Sequence, residues 1–579
     1  MNWRIARRAA PAAQAALGAL HPVLERIYRA RGIARPEELA CGLERLHPVG
    51  SLEGVEAAVE LLLRHRTGRV LVIGDFDADG ATSTALVVRS LTAWGFAGVD
   101  FLVPNRFEFG YGLTPEIVAL AAARAPTLII TVDNGISSVA GVAAARARGI
   151  DVLVTDHHLP GASLPSANVI VNPNAGGGRF ASRALAGVGV AFYVIAALKR
   201  ALDAAGLTPP GAPGPAESLD LVALGTVADL VPLDANNRVL VAQGLRRIRA
   251  GRCVPGVRAL LAVAGRTLTD LTASDLAFAV APRLNAAGRL TDMSVGIRCL
   301  LAQDEAEANA LAAQLDELNR ERRLIEARMQ ADALAAVRTL RTEALRAERC
   351  ALTLFDASWH QGVVGLVAGR IKDRTGRPVI AFARAGEGVL RGSARSVPGL
   401  HIRDVLDAMA ARDPGLIERF GGHAMAAGLT LAEARLSAFA RAFEQEVARA
   451  LGGRGAADTI ETDGELEPGE IALETARALR EGGPWGQGFP EPCFDGVFTV
   501  KSARVVGERH LKMWVQLGTS GRSFDAIAFN HLEDAPAGAV PADFEPPSGE
   551  HRLVYRLDIN EYQGERRLQL LVDHVLPGN

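Results

Sequence analysis

Three clusters of aspartates and histidines follow three apolar runs in the first half of the 579-residue chain. They are D-F-D-A-D-G at 75–80 after RVLVIG, D-N-G at 133–135 after LIITV, and D-H-H at 156–158 after VLVT. Such short, β-branched runs are typical of buried parallel strands, whose carboxyl ends meet at one edge of a sheet. Crowded carboxylates repel each other unless protons or cations compensate them, and mixed Asp/His ligands suit Mg²⁺ or Mn²⁺. The sequence therefore predicts a two-metal phosphoesterase.

Each cluster has another interpretation when it is taken alone. The spacing D-x-D-x-D-G also begins a calcium-binding EF-hand loop, but that loop needs a glutamate at its twelfth position, where Leu86 stands. A single D-N-G is most often a turn, so only the repetition after successive strands is specific. The segment GVGV at 187–190 resembles a nucleotide-binding glycine loop without its last glycine, and we interpret it as a helix-packing segment.

The composition indicates a folded chain of several domains. Hydrophobic residues make up 49% and charged residues 22% of the sequence, and the length predicts about three or four domains. The longest uncharged apolar stretch, 184–198, is shorter than the ~20 residues of a membrane helix. Five scattered cysteines suit a reducing cytoplasm with neither a disulfide framework nor a zinc site. The net charge of −2 gives no overall attraction to a polyanion.

Alternating strands and helices predict an α/β fold. Strands are expected at 69–74, 98–103, 128–132, 152–155 and 169–171, with helices between the first four, which is the pattern of a parallel sheet. Residues 14–47 look helical, and an amphipathic N-terminal helix is favoured over an export signal at Arg7-Arg8. Asp229, near the end of a later helix, is expected to turn back toward the acidic edge.

The second half of the chain contains three further regions. Residues 303–348, rich in Ala, Leu, Glu and Arg, predict a continuous spacer helix of roughly 70 Å, in preference to a coiled-coil partner. Glycine-containing turns at 392–395 and 421–423 offer phosphate-binding groups. Short alternating strands after 456 fit an oligonucleotide-binding barrel, with a sandwich as the alternative. The expected domains are 1–47 (N-terminal helical), 48–230 (phosphoesterase), 231–302 (helical extension), 303–348 (connecting helix), 349–451 (second α/β domain) and 456–579 (barrel).

The ordered motifs match a known family. DFDADG, DNG, DHH and GTVAD resemble the four motifs of the DHH phosphoesterase superfamily, and GGHAMAAG at 421–428 resembles its associated C-terminal domain. Further segments are similar to those of its RecJ family, the bacterial 5′-to-3′ exonucleases specific for single-stranded DNA: PNRFEFGYG at 104–112, APRLNAAGR at 281–289, WHQGVVG at 359–365 and GPWGQGFPEP at 483–492. The resemblance covers almost the whole chain. It implies a DHH domain, a DHH-associated domain and an oligonucleotide-binding barrel.

The resemblance also implies roles for individual residues. One divalent ion, Mn²⁺ or Mg²⁺, is expected on Asp79, Asp133, His157 and Asp229, and a second on Asp77 and Asp133 with help from Asp75. His158 is expected to contact the scissile phosphate, and Ile73 stands where the pyrophosphatase relatives carry a histidine ligand. The residues expected to hold DNA phosphates are Arg106, Arg283, Asn285, Arg289, Ser393, Arg395 and His423, with Ser393 and Arg395 at the 5′ end.

The expected function is therefore release of mononucleotides from the 5′ end of single-stranded DNA, in recombination and repair. The chain is expected to be a cytoplasmic monomer that works with a helicase and a single-strand-binding protein. Two alternatives stay open: an exonuclease acting on RNA or short oligonucleotides, and a non-catalytic single-strand-binding scaffold. The presence of every motif aspartate argues against the scaffold. A chain ending near residue 455 is expected to keep hydrolysis of short oligonucleotides but to lose affinity for long strands.

Overall fold

The computed structural model of the chain describes two compact units. The described residues are 4–9, 16–105, 109, 112–161, 163–178, 180–344, 349–422, 424–451, 459–507, 509–518, 521–532, 544–562 and 565–578, without the side chains of 335–344 and 562. The core unit comprises Ile5–Asp316 and Glu461–Asn579. The second unit comprises Glu317–Ile460 together with Arg4.

The N-terminal segment is less helical than its sequence predicts. Its first described element is a strand, β1 Arg4–Arg7, and its α-helix is α1 Pro22–Ala30, which begins with proline in the first turn. Pro36–Leu39 forms only a 3₁₀ turn, because Ala40 already has an extended backbone. The expected helix over 14–47 is therefore wrong in extent, and residues 10–15 lie outside the described part of the chain.

A parallel five-stranded sheet of order β3-β2-β4-β5-β6 confirms the predicted α/β class. Val70 to Ile73 are consecutive and all buried, so both faces of β2 are covered. The strands agree with the predicted ones to within one residue at each end: β2 Arg69–Gly74, β3 Gly98–Leu102, β4 Leu128–Val132, β5 Asp151–Thr155 and β6 Val169–Val171.

The register of this sheet aligns the loops that carry the acidic clusters. Gly74 pairs with Val132, and Val132 pairs with Thr155. These three residues end their strands, so Asp75, Asp133 and Asp156 follow at one level of the sheet. Motifs that are far apart in the chain are brought to the same edge in this way.

Helices pack against the sheet and extend the core unit. One apolar cluster joins β2, β4 and β5 to two of these helices. The helices packed around the sheet are α2 Val55–Arg64, α3 Ala78–Ala93, α4 Pro115–Ala122, α5 Val139–Ala147 and α6 Gly187–Ala204. The helix α7 Leu219–Ala228 packs on α3 and α6. The predicted helical extension contains α8 Ala235–Arg249, α9 Pro255–Val263, α10 Ala273–Asp275, a π-helix at Leu276–Val280, α11 Ala281–Leu290 and α12 Ser294–Leu301.

The predicted long helix is present as α13 Glu305–Ala344, with 40 residues. At 1.5 Å per residue its length is about 60 Å, somewhat less than expected, and residues 345–348 lie outside the described chain. Of the helices that the structure describes, none has the length and apolar character needed to cross a membrane.

The second unit contains a five-stranded sheet of order β10-β11-β9-β8-β7. Its core is built on Phe382, Phe439 and Phe443. The strands are β7 Leu352–Phe355, β8 Val379–Gly386, β9 Val389–Arg395, β10 Arg419–Gly422 and β11 Ala426–Ala432, and the helices are α14 Val364–Thr375, α15 Ile402–Arg412 and α16 Leu436–Ala450.

Two predicted phosphate-binding turns are strands instead. Residues 392–395 belong to β9, whose side chains alternate between buried and half-buried, and Gly421 and Gly422 belong to β10. The glycine at 392 serves close packing, because a Cβ there would lie 2.4 Å from the Phe382 ring. A glycine in a strand often marks such a close approach, which the turn interpretation overlooked.

The C-terminal region forms a closed barrel of order β13-β14-β15-β17-β16, preceded by β12 Thr459–Thr462 and α17 Leu473–Glu481. The β15–β17 pair is parallel and the other ladders are antiparallel. This confirms the barrel and excludes the sandwich. The barrel strands are β13 Phe494–Val506, β14 His510–Leu517, β15 Ser523–Ala528, β16 Gly549–Tyr562 and β17 Glu565–Pro577.

The barrel packs within the core unit, in contrast to the independent unit expected from the sequence. Arg31 of α1 forms a salt bridge of 2.8 Å with Asp463, and both side chains are only 2% exposed. Tyr28 of α1 stacks on Phe489 at 6.2 Å and donates a hydrogen bond to the Gly482 carbonyl at 2.6 Å. The stretch 463–489, which leads into the barrel, is thus bound to the N-terminal segment, and the expected linker at 452–455 lies outside the described residues.

Candidate metal centre

The acidic clusters converge at the carboxyl edge of the parallel sheet, as predicted. Ligand atoms of Asp79, His157 and Asp229 all lie within 4.8 Å of one another, and so do those of Asp75, Asp77 and Asp133. Asp133, His157 and His158 form a third such group. This third group shares Asp133 with the group of Asp75 and Asp77, and it shares His157 with the group of Asp79 and Asp229. The three groups therefore form one continuous centre.

The N-terminus of α6 holds the Asp79 carboxylate. The backbone N–H of Gly187 donates to Asp79 Oδ2 at 2.6 Å, and that of Val188 donates to Oδ1 at 2.9 Å. Asp77 caps α3 by accepting from the Gly80 N–H at 3.0 Å. The GVGV segment is therefore more than helix packing, because it orients a candidate ligand.

Asp133 has an unusual backbone, with φ of +61°. This left-handed conformation is tolerated by aspartate and asparagine better than by other side chains. The neighbouring Asn134 donates to the carbonyls of Ile73 and Val132, at 3.1 and 2.9 Å, and so ties the loop to β2 and β4. Gly187 approaches so closely that a Cβ there would lie 2.6 Å from the Asp133 Cβ.

Asp156 organises the two histidines that follow it. It accepts hydrogen bonds from the backbone N–H groups of His157 and His158, at 2.7 and 3.1 Å, and from His158 Nδ1 at 2.8 Å. Burial lowers the pKa of His158, but the hydrogen bond and charge of Asp156 dominate and raise it to about 9. The contact with Asp156 therefore favours the charged form of His158. His157 Nε2 lies 3.1 Å from Asp133 and 3.5 Å from Asp229.

Asp229 lies at the carboxyl end of α7, where it was expected. It is the C-cap of the helix, and its N–H donates to the Gly225 carbonyl at 3.0 Å. Gly225, one turn earlier on α7, leaves space for the Asp79 carboxylate, since a Cβ at position 225 would lie 2.9 Å from Asp79 Oδ1. Small residues on two helices thus allow the carboxylates to come together.

The electrostatics of the centre favour a bound cation. Burial and the charge of Asp77 raise the pKa of Asp79 to about 7. Burial and the charges of Asp79 and Asp77 raise the pKa of Asp133 and of Asp229 well above the usual value. Such repulsion between carboxylates is relieved by protons or by divalent ions. Oxygen ligands with one imidazole fit Mg²⁺ or Mn²⁺, whereas Ile73 is buried in β2 and offers no ligand.

Three residues predicted to hold DNA, Arg283, Asn285 and Arg289, lie on α11. Arg283 Nε donates to Asp316 Oδ1 at 2.9 Å, so a phosphate would have to compete with this ion pair. Asn285 Oδ1 accepts from the Ala78 N–H at 2.8 Å, next to the acidic loop. Gly288 lies against the Phe76 carbonyl, where a Cβ would be 1.8 Å away. α11 therefore supports the acidic loop, and Arg289 is half-buried on it.

In the second unit, Ser393 and Arg395 lie side by side on β9. Arg395 Nη1 donates to Ser393 Oγ at 3.1 Å and to the Ala394 carbonyl at 2.8 Å. The first turn of α14 abuts them, because a Cβ on Gly365 would lie 2.8 Å from Ser393 Oγ and 3.0 Å from Arg395 Nη2. A hydroxyl, a guanidinium and a helix N-terminus are groups that bind phosphate. Arg106 and His423 lie outside the described residues.

Sequence reasoning missed several residues of the centre. The GVGV motif lacks a nucleotide-binding pattern and so does not indicate a role for Gly187 and Val188, and the sequence indicates no separate role for Asp156. A signal for the first pair was available, since glycine at a helix N-terminus permits close approach to an anion. Asp156 carried no such signal, because its contacts depend on the fold of the loop.

Comparisons with known proteins agree with this architecture. The chain matches the N-terminal domain of the DHH family over residues 69–226, the DHHA1 domain over 348–449 and the RecJ OB domain over 462–574. Fold and site together therefore define a phosphoesterase of the DHH class. The single-stranded-DNA-specific exonuclease RecJ of Dickeya dadantii is 51% identical over the whole of both chains. The chain belongs to the RecJ family of single-stranded-DNA-specific exonucleases.

Solved structures of this family resemble the chain closely. The crystal structure of RecJ from Thermus thermophilus in complex with Mn²⁺ has a TM-score of 0.78 and 32% identity, covering 100% of this chain and 80% of that one. The structure of the same protein in complex with Mg²⁺ has a TM-score of 0.71 and 30% identity, covering 100% and 78%.

Proposed function

We propose that this chain hydrolyses single-stranded DNA from its 5′ end and releases mononucleotides, using two Mn²⁺ or Mg²⁺ ions. The observation that carries the proposal is the convergence of five aspartates and a histidine at one edge of the sheet. Family membership supplies the substrate class, because the relatives are named as exonucleases specific for single-stranded DNA.

The donor groups suggest how the ions are shared. Asp79, Asp133, His157 and Asp229 would hold one ion, and Asp77 and Asp133 the other, with Asp75 beside them. Asp133 lies between the two sets, since its Oδ1 is 3.1 Å from His157 Nε2 while its carboxylate also groups with Asp75 and Asp77. A bridging carboxylate is the expected outcome of that position.

The bound ions supply an activated water and neutralise the leaving oxygen. The chain itself orients the reaction. Asp156 accepts a hydrogen bond from Nδ1 of His158 and favours the charged imidazole, whose Nε2 would donate to a phosphate oxygen. The amides of Gly187 and Val188 fix Asp79, which preserves the geometry of the ligands as substrate binds.

Other residues hold the strand. Ser393 and Arg395 would bind the terminal phosphate beside the first turn of α14, and Arg106, Arg283, Asn285, Arg289 and His423 would bind further phosphates. On the barrel, Trp514 is 48% and Phe529 57% exposed, whereas Phe524 and Tyr555 are buried in its core. The two exposed rings are available to stack on bases, each contributing about 1–3 kcal/mol.

The setting of the reaction is also part of the proposal. A 5′ exonuclease that is specific for single strands needs unpaired ends, so a helicase that opens duplex and a protein that coats single strands are suitable partners. We place the chain in the cytoplasm, as a monomer acting in DNA recombination and repair. The odd number of scattered cysteines supports a reducing compartment.

Digestion of end-labelled substrates tests the proposal. Single-stranded DNA, RNA and blunt duplex, each labelled at either end, are incubated with Mn²⁺ or Mg²⁺. We expect the 5′ label to appear first, as a mononucleotide, from single-stranded DNA. Faster digestion of RNA would favour the ribonuclease alternative, and binding without cleavage would favour the scaffold.

A further inference from the structure

The segment GPWGQGFPEP contains a tight turn that neither the ligands nor the proposed DNA contacts explain. The Gly486 N–H donates to the Phe489 carbonyl at 2.9 Å, and the Phe489 N–H donates back to Gly486 at 3.1 Å. Gln487 and Gly488 form the tip of this Gly486–Phe489 turn. The turn precedes the barrel and belongs to the core unit.

The tip of the turn contacts the loop that follows Asp229. The Leu233 N–H donates to the Gln487 carbonyl at 2.7 Å. A Cβ on Gly486 would lie 2.7 Å from Leu233 Cδ1, and one on Gly488, whose φ is +72°, would lie 3.3 Å from Pro232 Cβ. Both glycines are therefore in contact with the loop at 230–234.

The first residue of this loop has a backbone conformation that its own side chain does not secure. Leu230, directly after Asp229, has φ of +57° and is 55% exposed, so it gains little from burial. A left-handed backbone is unfavourable for leucine and persists only where the surroundings impose it. On its far side the loop is held by Asn237, which donates to the Pro232 carbonyl at 2.9 Å. The turn provides the opposing contact.

The turn itself is firmly anchored. Trp485 stacks on Phe489 with ring centroids 5.2 Å apart and donates from Nε1 to the Leu479 carbonyl at 2.7 Å. The Arg238 guanidinium lies 4.4 Å above the Phe489 ring and also donates to the Leu233 carbonyl at 3.2 Å. The same aromatic cluster therefore fixes the turn and one end of the loop.

We propose that the Gly486–Phe489 turn positions Asp229 in the metal centre. The C-terminal region, which is proposed to bind DNA through its barrel, would then also control the affinity of the centre for metal ions through this turn. The inference rests on the proposed role of Asp229 as a ligand. A turn that fixes the loop behind a ligand acts as the outer-shell partners of metal sites do, and loss of such a partner weakens binding by about 10–100-fold.

A pair of glycine substitutions tests this role in the full-length chain. Gly486→Val would displace Leu233, whereas Gly469→Val places the same side chain in open space within the same unit. Mn²⁺ binding is followed by electron paramagnetic resonance, and amide exchange at 229–234 by mass spectrometry. We expect Gly486→Val to bind one of two ions at least about tenfold more weakly and to exchange faster at this loop. The kcat of this variant for a short oligonucleotide should decrease at limiting Mn²⁺ and return toward the wild-type value with excess Mn²⁺.

A milder pair keeps the test decisive if Gly486→Val does not fold. Gly488→Ala and Gly521→Ala introduce the same methyl group at φ of +72° and +71°, but only Gly488 has a neighbour within 4 Å. A folded Gly486→Val or Gly488→Ala variant with wild-type Mn²⁺ affinity and exchange would overturn the positioning role. Absence of DNA hydrolysis by the wild-type chain would overturn the proposed function instead, and the Mn²⁺ and exchange measurements would still decide the role of the turn.

Discussion

The backbone N–H of Gly187 donates a hydrogen bond of 2.6 Å to Oδ2 of Asp79. The same glycine leaves room for Asp133, whose Cβ would lie 2.6 Å from a Cβ at position 187. One residue at the start of α6 thus fixes one candidate ligand and allows the approach of another. Its main-chain contacts make it part of the centre, although it carries no functional side chain.

Gly187→Ala should therefore weaken metal binding. The added methyl group would force α6 away from Asp133 and lengthen the hydrogen bonds to Asp79, which should lower Mn²⁺ affinity by about 10–100-fold. Mn²⁺ titration of the full chain measures the effect. Gly369→Ala, on α14 with open space around it, is the control and should bind as the wild type does. Equal affinity in both variants would show that the close contact is unimportant.

Asp133→Asn should abolish hydrolysis and yet stabilise the metal-free protein. Asparagine keeps the left-handed backbone and removes a buried carboxyl group that must either take up a proton or repel Asp79 and Asp229. We expect the Tm in EDTA to rise by roughly 2–4 °C and the Tm gain on adding Mn²⁺ to disappear. Asp133→Ala should be equally inactive but less stable, because alanine is strained at positive φ. Activity above a few percent in either variant would contradict the bridging role.

The stability of the metal-free protein should fall as the pH rises. The folded pKa of Asp79 is about 7, whereas an unfolded aspartate titrates near 3.9, so between these values the folded chain binds more protons than the unfolded chain. Folding stability then decreases with increasing pH. Mn²⁺ must displace these protons, so its stabilising effect should grow over the same interval. Thermal unfolding at pH 5.5 and 8, with EDTA and with Mn²⁺, checks both trends. A metal-free Tm that increases with pH would exclude this explanation.

Arg395→Ala should weaken engagement of the 5′ end more than binding to the interior of a strand. The guanidinium lies with Ser393 beside the first turn of α14, where a terminal phosphate would accept hydrogen bonds from all three. The KM for 5′-phosphorylated oligonucleotides should increase about tenfold or more, with little change in affinity for circular single strands. Arg384→Ala, which removes an arginine paired with Glu433 in the same unit, is the matched control. A parallel loss on linear and circular DNA would show that Arg395 binds phosphates without regard to the end.

The convergence of the acidic loops can be predicted from the sequence because its signals are local. Apolar runs ended by Asp75, Asp133 and Asp156 define both the strands and the loops, and parallel strands bring such loops together without further information. Asp229 was placed correctly for the same reason, since the end of an apolar helix is visible in the sequence. The five sheet strands were found to within one residue.

Features that depend on long-range packing were not predicted. The local pattern at Gly392 predicts a turn, whereas in the fold this position lies in a strand against the Phe382 ring, which leaves no room for a Cβ. The barrel was expected to be independent, but Arg31 and Asp463 form a buried pair that no local pattern reveals. A chain ending near residue 455 would lose Asp463 and the Gly486–Phe489 turn. The packing thus argues against the expected survival of oligonucleotide hydrolysis in that fragment.

The central claim is that two divalent ions occupy the carboxyl edge of the parallel sheet. The anomalous difference map of a crystal grown with Mn²⁺ tests it most directly. We predict two peaks, one within reach of Asp79, His157 and Asp229 and one beside Asp75 and Asp77, with Asp133 between them. A single peak, or peaks away from these side chains, would contradict the account.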